Sequence, residues 1–171
     1  MQFIRIFLIG MFLSFSNALF SQKIKILSKK QILKVFKSTV VQNTKGNIST
    51  DSNPWFTDNS EDKYFKDKII EFKNARSFQR DYCKIINWNF YKKDAFVIGD
   101  ADYCNEPPMQ KVTKPENFIS LKLIQNNSGV VLLLFNEDKL IDQFLIISLE
   151  KIKSVYDENE SDLIMKLKRL N

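Results

Sequence analysis

The feature that most constrains the fold is a stretch of alternating residues in the middle of the chain. Ile86, Trp88 and Phe90 alternate with polar residues, which is the period of a β-strand with one apolar face. After a Lys-Lys-Asp turn, Phe96 and Ile98 resume the alternation. The register that places Phe90 opposite Phe96 also places Trp88 opposite Ile98, so all the large apolar groups share one side. We therefore predict a hairpin in which Trp88, Phe90, Phe96 and Ile98 face the interior or a ligand.

The N-terminus has the three parts of a cleavable secretory signal peptide. Arg5 supplies a positive charge, residues 6–15 are apolar, and residues 16–18 (Ser-Asn-Ala) place small residues at a cleavage site. A second cleavage site follows residue 21. The uncharged stretch is shorter than the roughly 20 apolar residues of a membrane span. We expect a signal peptide over residues 1–21, a single domain over 22–171 without a transmembrane anchor, and an extracytoplasmic location, periplasmic or secreted.

The chain has two cysteines, Cys83 and Cys104. In an exported protein an even number of cysteines is typical of disulfides. The hairpin register brings Cys83 opposite Tyr103, one residue from Cys104, and a single β-bulge would align the two sulfurs. The sequence therefore predicts a disulfide within one molecule, with pairing between molecules as the alternative.

The first half of the expected domain combines a helix with a long polar segment. Ser28 and Gln31 form a capping-box pattern ahead of apolar residues at helical spacing. Residues 42–63 are polar and predict a long loop, which the pair Trp55-Phe56 anchors to the core. Residues 64–73 fit either a helix or a strand; we favour a strand over 68–73 that pairs with residues 77–83.

The second half predicts a meander of strands. Residues 118–125, 129–136 and 140–149 are apolar or alternating and are separated by two short turns rich in Asn and acidic residues. Residues 105–117 contain three prolines and predict a loop, and residues 154–162 predict an acidic loop. Residues 163–169 alternate like a strand, with a short helix as the alternative.

The residue types that are absent exclude many kinds of catalysis. The chain has no histidine, so it has no Ser-His-Asp triad, Cys-His dyad or histidine metal site. Four glycines provide no glycine-rich phosphate loop, and bridged cysteines offer no thiolate. Asp100, Asp102 and Glu106 are the acids that could form a carboxylate pair for hydrolysis, although charged residues at strand ends are usually solvated. We predict a protein without enzymatic activity, cofactor or metal.

The net charge of +6 raises the question of an anionic partner. Lysine far outnumbers arginine, whereas specific recognition of phosphates or bases favours the bidentate fork of arginine. Nucleic acid is therefore not an expected partner.

Four short motifs resemble the small lipocalin-like proteins that many bacteria export. They are Ile70-Glu71-Phe72-Lys73, Trp88-Asn89-Phe90, residues 144–149 (FLIISL) and residues 163–167 (LIMKL). The resemblance covers about residues 69–170. The family's early G-x-W motif is absent, since Asn53-Pro54 precedes Trp55. The resemblance implies a barrel that binds a small apolar molecule and assigns no ligand contact.

These observations predict a mainly β (or α+β) domain: an antiparallel sheet of six to eight strands, curled or closed into a lipocalin-like barrel, with one N-terminal amphipathic helix. The leading functional hypothesis is an exported binding protein whose partner is a small apolar molecule or another extracytoplasmic protein. The second hypothesis is a protein-interaction or inhibitor module that uses the loops 42–63 and 105–117, without a cavity. A carboxylate-based hydrolase is the third.

Overall fold

The computed structural model describes residues 27–40, 53–74, 82–105, 109–111, 116–155 and 157–170. The predicted signal peptide, the first half of the predicted loop 42–63, the segment 75–81 and Glu106 lie outside these residues. The fold is a closed antiparallel β-barrel of eight strands with two short helices, which confirms the predicted class.

Helix α1 (Lys29–Thr39) begins at the predicted capping box. The Ser28 hydroxyl accepts a hydrogen bond from the Gln31 N–H at 3.3 Å, and the Ser28 N–H donates to Gln31 Oε1 at 2.8 Å. These two bonds satisfy backbone donors that the first helical turn leaves without partners. Ile32 and Phe36 are buried on the face towards the barrel.

The strands are numbered in chain order. They are β1 (Trp55–Asp58), β2 (Ile69–Asn74), β3 (Lys84–Lys92), β4 (Ala95–Asp102), β5 (Met109–Lys111), β6 (Phe118–Asn126), β7 (Gly129–Asn136), β8 (Lys139–Lys153) and β9 (Ser161–Arg169). Around the barrel they follow the order β1-β2-β9-β8-β7-β6-β4-β3, and pairing of β3 with β1 closes it. Strand β5 pairs with the far end of β4 and lies outside the closed ring.

The β3–β4 hairpin has the predicted register. Phe90 lies opposite Phe96 and Trp88 opposite Ile98. Trp88, Phe90 and Phe96 are buried, and Ile98 is half-buried against the same cluster. The alternation therefore predicted both the pairing and the inward face.

The disulfide joins Cys83 to Cys104, as predicted, with 4.8 Å between their Cα atoms. Cys83 lies opposite Tyr103, whose N–H donates to the Cys83 carbonyl at 2.6 Å. The predicted bulge at this end is wrong, because the register shift lies at the other end of the hairpin, between Phe90 and Lys92. No bulge is present at the disulfide, where Cys83 and Cys104 are diagonal neighbours at the end of the hairpin.

The prediction that Trp55 and Phe56 lie in a loop is wrong. They begin strand β1, which pairs with β3 over four residues. The strand was not predicted because it is short and turn-forming residues flank it. Four residues show no clear alternation of apolar and polar side chains. Both side chains are buried, which confirms that they anchor this segment.

Residues 63–74 contain both alternatives, a short helix α2 (Lys63–Lys66) followed by β2. The predicted pairing of this strand with residues 77–83 is wrong: β2 pairs with β9 along its whole length and with β1 at one position. Its partner β9 is distant in sequence, and local turn signals carry no information about such a pair.

The meander β6–β7–β8 follows the predicted strands and turns, and β8 continues beyond the predicted end to Lys153. In the first turn, Asn126 Oδ1 accepts from the Ser128 N–H at 2.9 Å. Gly129 follows with a φ of 132°, a conformation that glycine adopts without steric cost. Residues 163–169 belong to strand β9, so the helical alternative is wrong.

The interior of the barrel is built around aromatic rings. The Trp88 ring lies 4.2 Å from the Phe72 ring and is stacked on Phe96 at 4.5 Å, measured between ring centroids. Phe144 contacts it edge-on at 6.3 Å. These rings come from four strands, so Trp88 connects distant parts of the sheet.

Replacing Trp88 by Ala should lower the free energy of unfolding by about 3–5 kcal/mol, because the truncation leaves a void among packed rings. Urea unfolding measures the loss, with an unchanged m-value. Phe65→Ala is the control; its ring is 57% exposed, and we expect a change of about 0.5 kcal/mol or less. A loss below about 1 kcal/mol at Trp88 would contradict a filled interior.

Candidate functional site

The inside of the barrel is the first place to look for a ligand site. Trp88, Phe72 and Phe96 have no accessible surface, and the same holds for the other large interior groups Trp55, Phe36, Phe144, Leu132 and Met165. A side chain without accessible surface borders no space that a water molecule could enter. The predicted interior residues Trp88, Phe90 and Phe96 lie together, as expected. They pack against one another rather than around a space for a ligand.

Helix α1 closes one end of the barrel. The Phe36 ring is stacked on Phe90 with centroids 4.7 Å apart and meets Trp55 edge-on at 6.2 Å. The Trp55 indole N–H donates to Thr39 Oγ1 at 3.2 Å, which satisfies a buried polar group. The amphipathic helix therefore covers the barrel end beside the β3–β4 turn.

Arg169, at the end of β9, closes the opposite end. Its guanidinium lies over the rings of Phe144 and Tyr64, at 5.1 and 5.6 Å from their centroids. It donates to the carbonyls of Tyr64 and Phe65 at 2.7 and 2.6 Å and pairs with Asp142 at 3.1 Å. A planar group with several donors satisfies all these partners at once.

The low polarity of this end shifts the pKa values of two groups. Burial raises the pKa of the Tyr64 hydroxyl far above its usual value, and the nearby Asp142 carboxylate adds to the effect. Burial also raises the pKa of Asp142, although Arg169 acts in the other direction. The Trp88 indole N–H lies near the Tyr64 hydroxyl and acts to lower the pKa of that phenol. It makes no hydrogen bond of ordinary geometry. The arrangement is that of a structural seal.

The predicted acidic residues do not form a site in the described part of the chain. Asp100 is exposed. Asp102 accepts a hydrogen bond from the Cys104 N–H at 2.8 Å and lies 4.0 Å from Lys84 Nζ, so it stabilises the end of the hairpin. Among the described residues, no group of three or more His, Cys, Asp or Glu side chains is placed to hold a metal ion.

An outer groove of about 350 Å³ lies on the surface of the barrel. It lies over β1, β2 and β9 and is bordered by α2, by Tyr82 ahead of β3, and by Ile152 and Val155 at the end of β8. Three of its apolar side chains are strongly exposed: Ile69 at 57%, Tyr82 at 43% and Val155 at 75%. It is a concave surface that offers apolar contact, the combination expected of a binding site.

Sequence reasoning missed this groove. One usable signal was the run Leu163-Ile164-Met165, since three successive apolar residues place at least one on the outer face of a strand. The neighbours Ile69 and Ile70 likewise place one apolar side chain on the outer face of β2. A strand that is apolar on both faces has apolar side chains on its outer face as well as in the core.

Two carboxylates at the groove are paired with lysines. Asp58 accepts from Lys63 Nζ at 2.6 Å and from both the hydroxyl and the N–H of Ser60, at 2.6 and 2.8 Å. Partial burial would raise the pKa of Asp58, but the hydrogen bonds from Lys63 and Ser60 outweigh it and hold that pKa below its usual value. Glu71 pairs with Lys166 at 3.1 Å. Asp67 and Lys73 also border the groove, so charged and apolar side chains share its rim.

Neither helix among the described residues is long and apolar enough to cross a membrane. Comparisons of the chain with family models, curated proteins and solved structures found no match. The resemblance to lipocalin-like proteins therefore stays a prediction, and the groove has to be interpreted from its own chemistry.

Replacing Asp58 by Asn should destabilise the protein in a pH-dependent way. The folded-state pKa of Asp58 lies below the unfolded value near 3.8, so its contribution is present above that value and is lost as the pH falls through the folded-state pKa. The difference in unfolding free energy between wild type and Asp58→Asn should therefore be largest above about pH 5 and shrink towards pH 2.

Chemical denaturation across this pH range measures the difference. Glu150→Gln, at an exposed position on β8, is the control and should change the free energy of unfolding by about 0.5 kcal/mol or less. A difference for Asp58→Asn that stays constant or grows at low pH would contradict the assigned ion pair.

Proposed function

We propose that this protein is an extracytoplasmic binding protein without enzymatic activity, and that its binding site is the outer groove. One observation carries the proposal: the groove offers about 350 Å³ bordered by exposed apolar side chains, whereas the large interior groups have no accessible surface. A ligand in the barrel would first have to separate stacked rings, and a ligand in the groove would not.

The chemistry of the chain supports binding rather than catalysis. It has no histidine, and both cysteines are in a disulfide, which removes the commonest general base and the thiolate nucleophile. The carboxylates Asp58 and Glu71 at the groove are paired with lysines. The exposed apolar side chains of the groove are the groups that an apolar ligand would contact.

The location rests on two features. The N-terminal sequence has the parts of a signal peptide, and the structure contains a disulfide, which persists in oxidising compartments. The groove also includes Phe56, Asp58 and Lys63, which belong to the segment 42–63 that the interaction-module hypothesis invoked. The proposal thus favours a surface site over the apolar cavity of the lipocalin-like resemblance.

Binding of the apolar fluorescent probe 1-anilinonaphthalene-8-sulfonate tests the proposed site. Ile69→Glu and Val155→Glu should each weaken binding about tenfold, because each removes an apolar contact and places a negative charge beside the anionic sulfonate of the probe. Both positions are exposed in the free protein, so folding should be retained, as circular dichroism can show.

Ile147→Glu is the matched control, because Ile147 is 43% exposed on β8 and does not border the groove. It should bind the probe as wild type does. Equal affinity of wild type and both groove variants would contradict the proposal. If, in addition, Phe36→Ala increased binding, the interior would be the better site.

A further inference from the structure

Strand β8 is longer than the strands on either side of it, and part of it has a neighbour on one side alone. Strand β7 pairs with β8 up to Val130 opposite Ile146, whereas β9 pairs with it as far as Ser161 opposite Lys153. A β-bulge at Ile147 separates the two parts. Beyond this bulge, no strand in the described part of the chain pairs with the β7 side of β8. We call this side of residues 149–153 the β8 edge.

The hydrogen bonds with β9 show which backbone groups lie on the β8 edge. The Ser154 N–H donates to the Glu160 carbonyl at 3.1 Å, so these two residues form a hydrogen-bonded pair. Along an antiparallel ladder, such pairs alternate with pairs whose backbone groups point away from each other. Even-numbered residues of β8 beyond the bulge therefore direct their N–H and C=O groups to β9. The odd-numbered residues, which direct theirs to the β8 edge, are Leu149, Lys151 and Lys153.

The hydrogen bonds on the other side of β9 give the same result. The Arg169 N–H donates to the Lys68 carbonyl at 2.8 Å, so the odd-numbered residues of β9 direct their backbone groups to β2. Its even-numbered residues then face β8, where Ile164 pairs with Glu150. Two separate ladders thus place the backbone groups of every second residue on the β8 edge.

The side chains along the β8 edge are largely charged. Glu150, Lys151 and Lys153 are exposed, and none of the three has an ion-pair partner among the residues that the structure describes. Charged side chains, lysine above all, keep an exposed strand edge from pairing with other copies of the same chain.

A second copy of the chain does not fit this edge. In an antiparallel pair, residues whose backbone groups face the edge lie opposite one another. If Leu149 lies opposite Lys151 of the other copy, the two Glu150 side chains face each other. If Leu149 lies opposite Lys153, the two Lys151 side chains do, and the remaining register sets Lys151 against Lys153. Like charges directly opposite each other destabilise a strand pair.

We propose that the β8 edge binds an extended segment of another protein that carries acidic residues at every second position. A strand edge presents alternating N–H and C=O groups, which a polypeptide backbone matches. Acidic residues two positions apart can lie opposite Lys151 and Lys153, and opposite charges stabilise cross-strand pairs. The edge is about five residues long, roughly 17 Å at 3.3–3.4 Å per residue, so five residues of the partner pair there.

The β8 edge and the outer groove are two separate surfaces. The groove lies over β1, β2 and β9, whereas the edge lies on the side of β8 that faces away from β9. The inference therefore goes beyond the proposed function, and its test does not depend on a ligand in the groove.

The test uses the mature protein and the peptide Thr-Glu-Val-Glu-Lys-Val-Thr, acetylated and amidated at its ends. Two analogues each carry two N-methyl groups, one on both glutamates and the other on the first valine and the lysine. Titration followed by amide NMR gives the affinities, and hydrogen exchange gives the protection of individual amides.

We expect the parent peptide to bind and to slow the hydrogen exchange of the Lys151 and Lys153 amides at least tenfold. The amides of Glu150 and Ile152, which face β9, should be protected with and without peptide. Methylation of the glutamates should weaken binding at least tenfold, because their N–H groups face β8 when their side chains lie opposite the lysines. Methylation of the valine and the lysine should leave binding unchanged, because those N–H groups face solvent.

Exchange of the charges tests the assigned partner residues. The double variant Lys151→Glu/Lys153→Glu should bind the parent peptide at least tenfold more weakly than wild type. It should bind the peptide Thr-Lys-Val-Lys-Glu-Val-Thr more tightly than wild type does. The control with the same net charge is Lys84→Glu/Lys93→Glu, at two exposed positions elsewhere, and it should bind the parent peptide as wild type does.

Three results would each overturn the proposal, whatever the fluorescent probe does at the groove: no binding of the parent peptide, equal affinities of the two analogues, or equal affinities of wild type and the Lys151→Glu/Lys153→Glu variant. Slow exchange of the Lys151 and Lys153 amides without peptide would overturn it as well. Sedimentation would then assign the edge to a second copy if the protein is a dimer, and to another segment of the same chain if it is a monomer.

Discussion

The packing of Trp88 is the interaction on which the other features of this barrel depend. The indole contacts rings from β2, β4 and β8 and has no accessible surface. A barrel of eight strands has an interior that side chains can fill or that can hold one small ligand, and here the aromatic rings fill it. This packing leaves no room for a ligand among the rings, and the proposed site therefore lies on the surface.

Both ends of the barrel are closed by packed side chains. At one end Phe36 of α1 extends the stack of rings through Phe90. At the other, Arg169 covers Phe144 and Tyr64 and satisfies two backbone carbonyls and Asp142. Most polar atoms of both seals have hydrogen-bond partners, as burial favours. Among the described strands of the barrel, β1 and β2 have the shortest ladder, a single pair, and the groove lies over these two strands and β9.

The sequence predicted what depends on neighbouring residues. The register of the β3–β4 hairpin, the Cys83–Cys104 bridge and the capping box at Ser28 each follow from alternation or spacing over a short stretch of chain. Strand β1 was missed because four residues cannot establish a period. The pairing of β2 with β9 was missed because it joins segments almost a hundred residues apart. The groove was missed for both reasons. It is assembled from residues of β1, β2 and β9 that only the closed barrel brings together.

The claim that the barrel is filled is tested most directly by a crystal structure determined under xenon pressure, because xenon enters apolar cavities that water leaves empty. If the interior is filled, no xenon atom should bind among Trp88, Phe72, Phe96 and Phe144. A xenon atom bound between these rings would show an interior cavity, and the barrel rather than the outer groove would then be the place to look for a ligand.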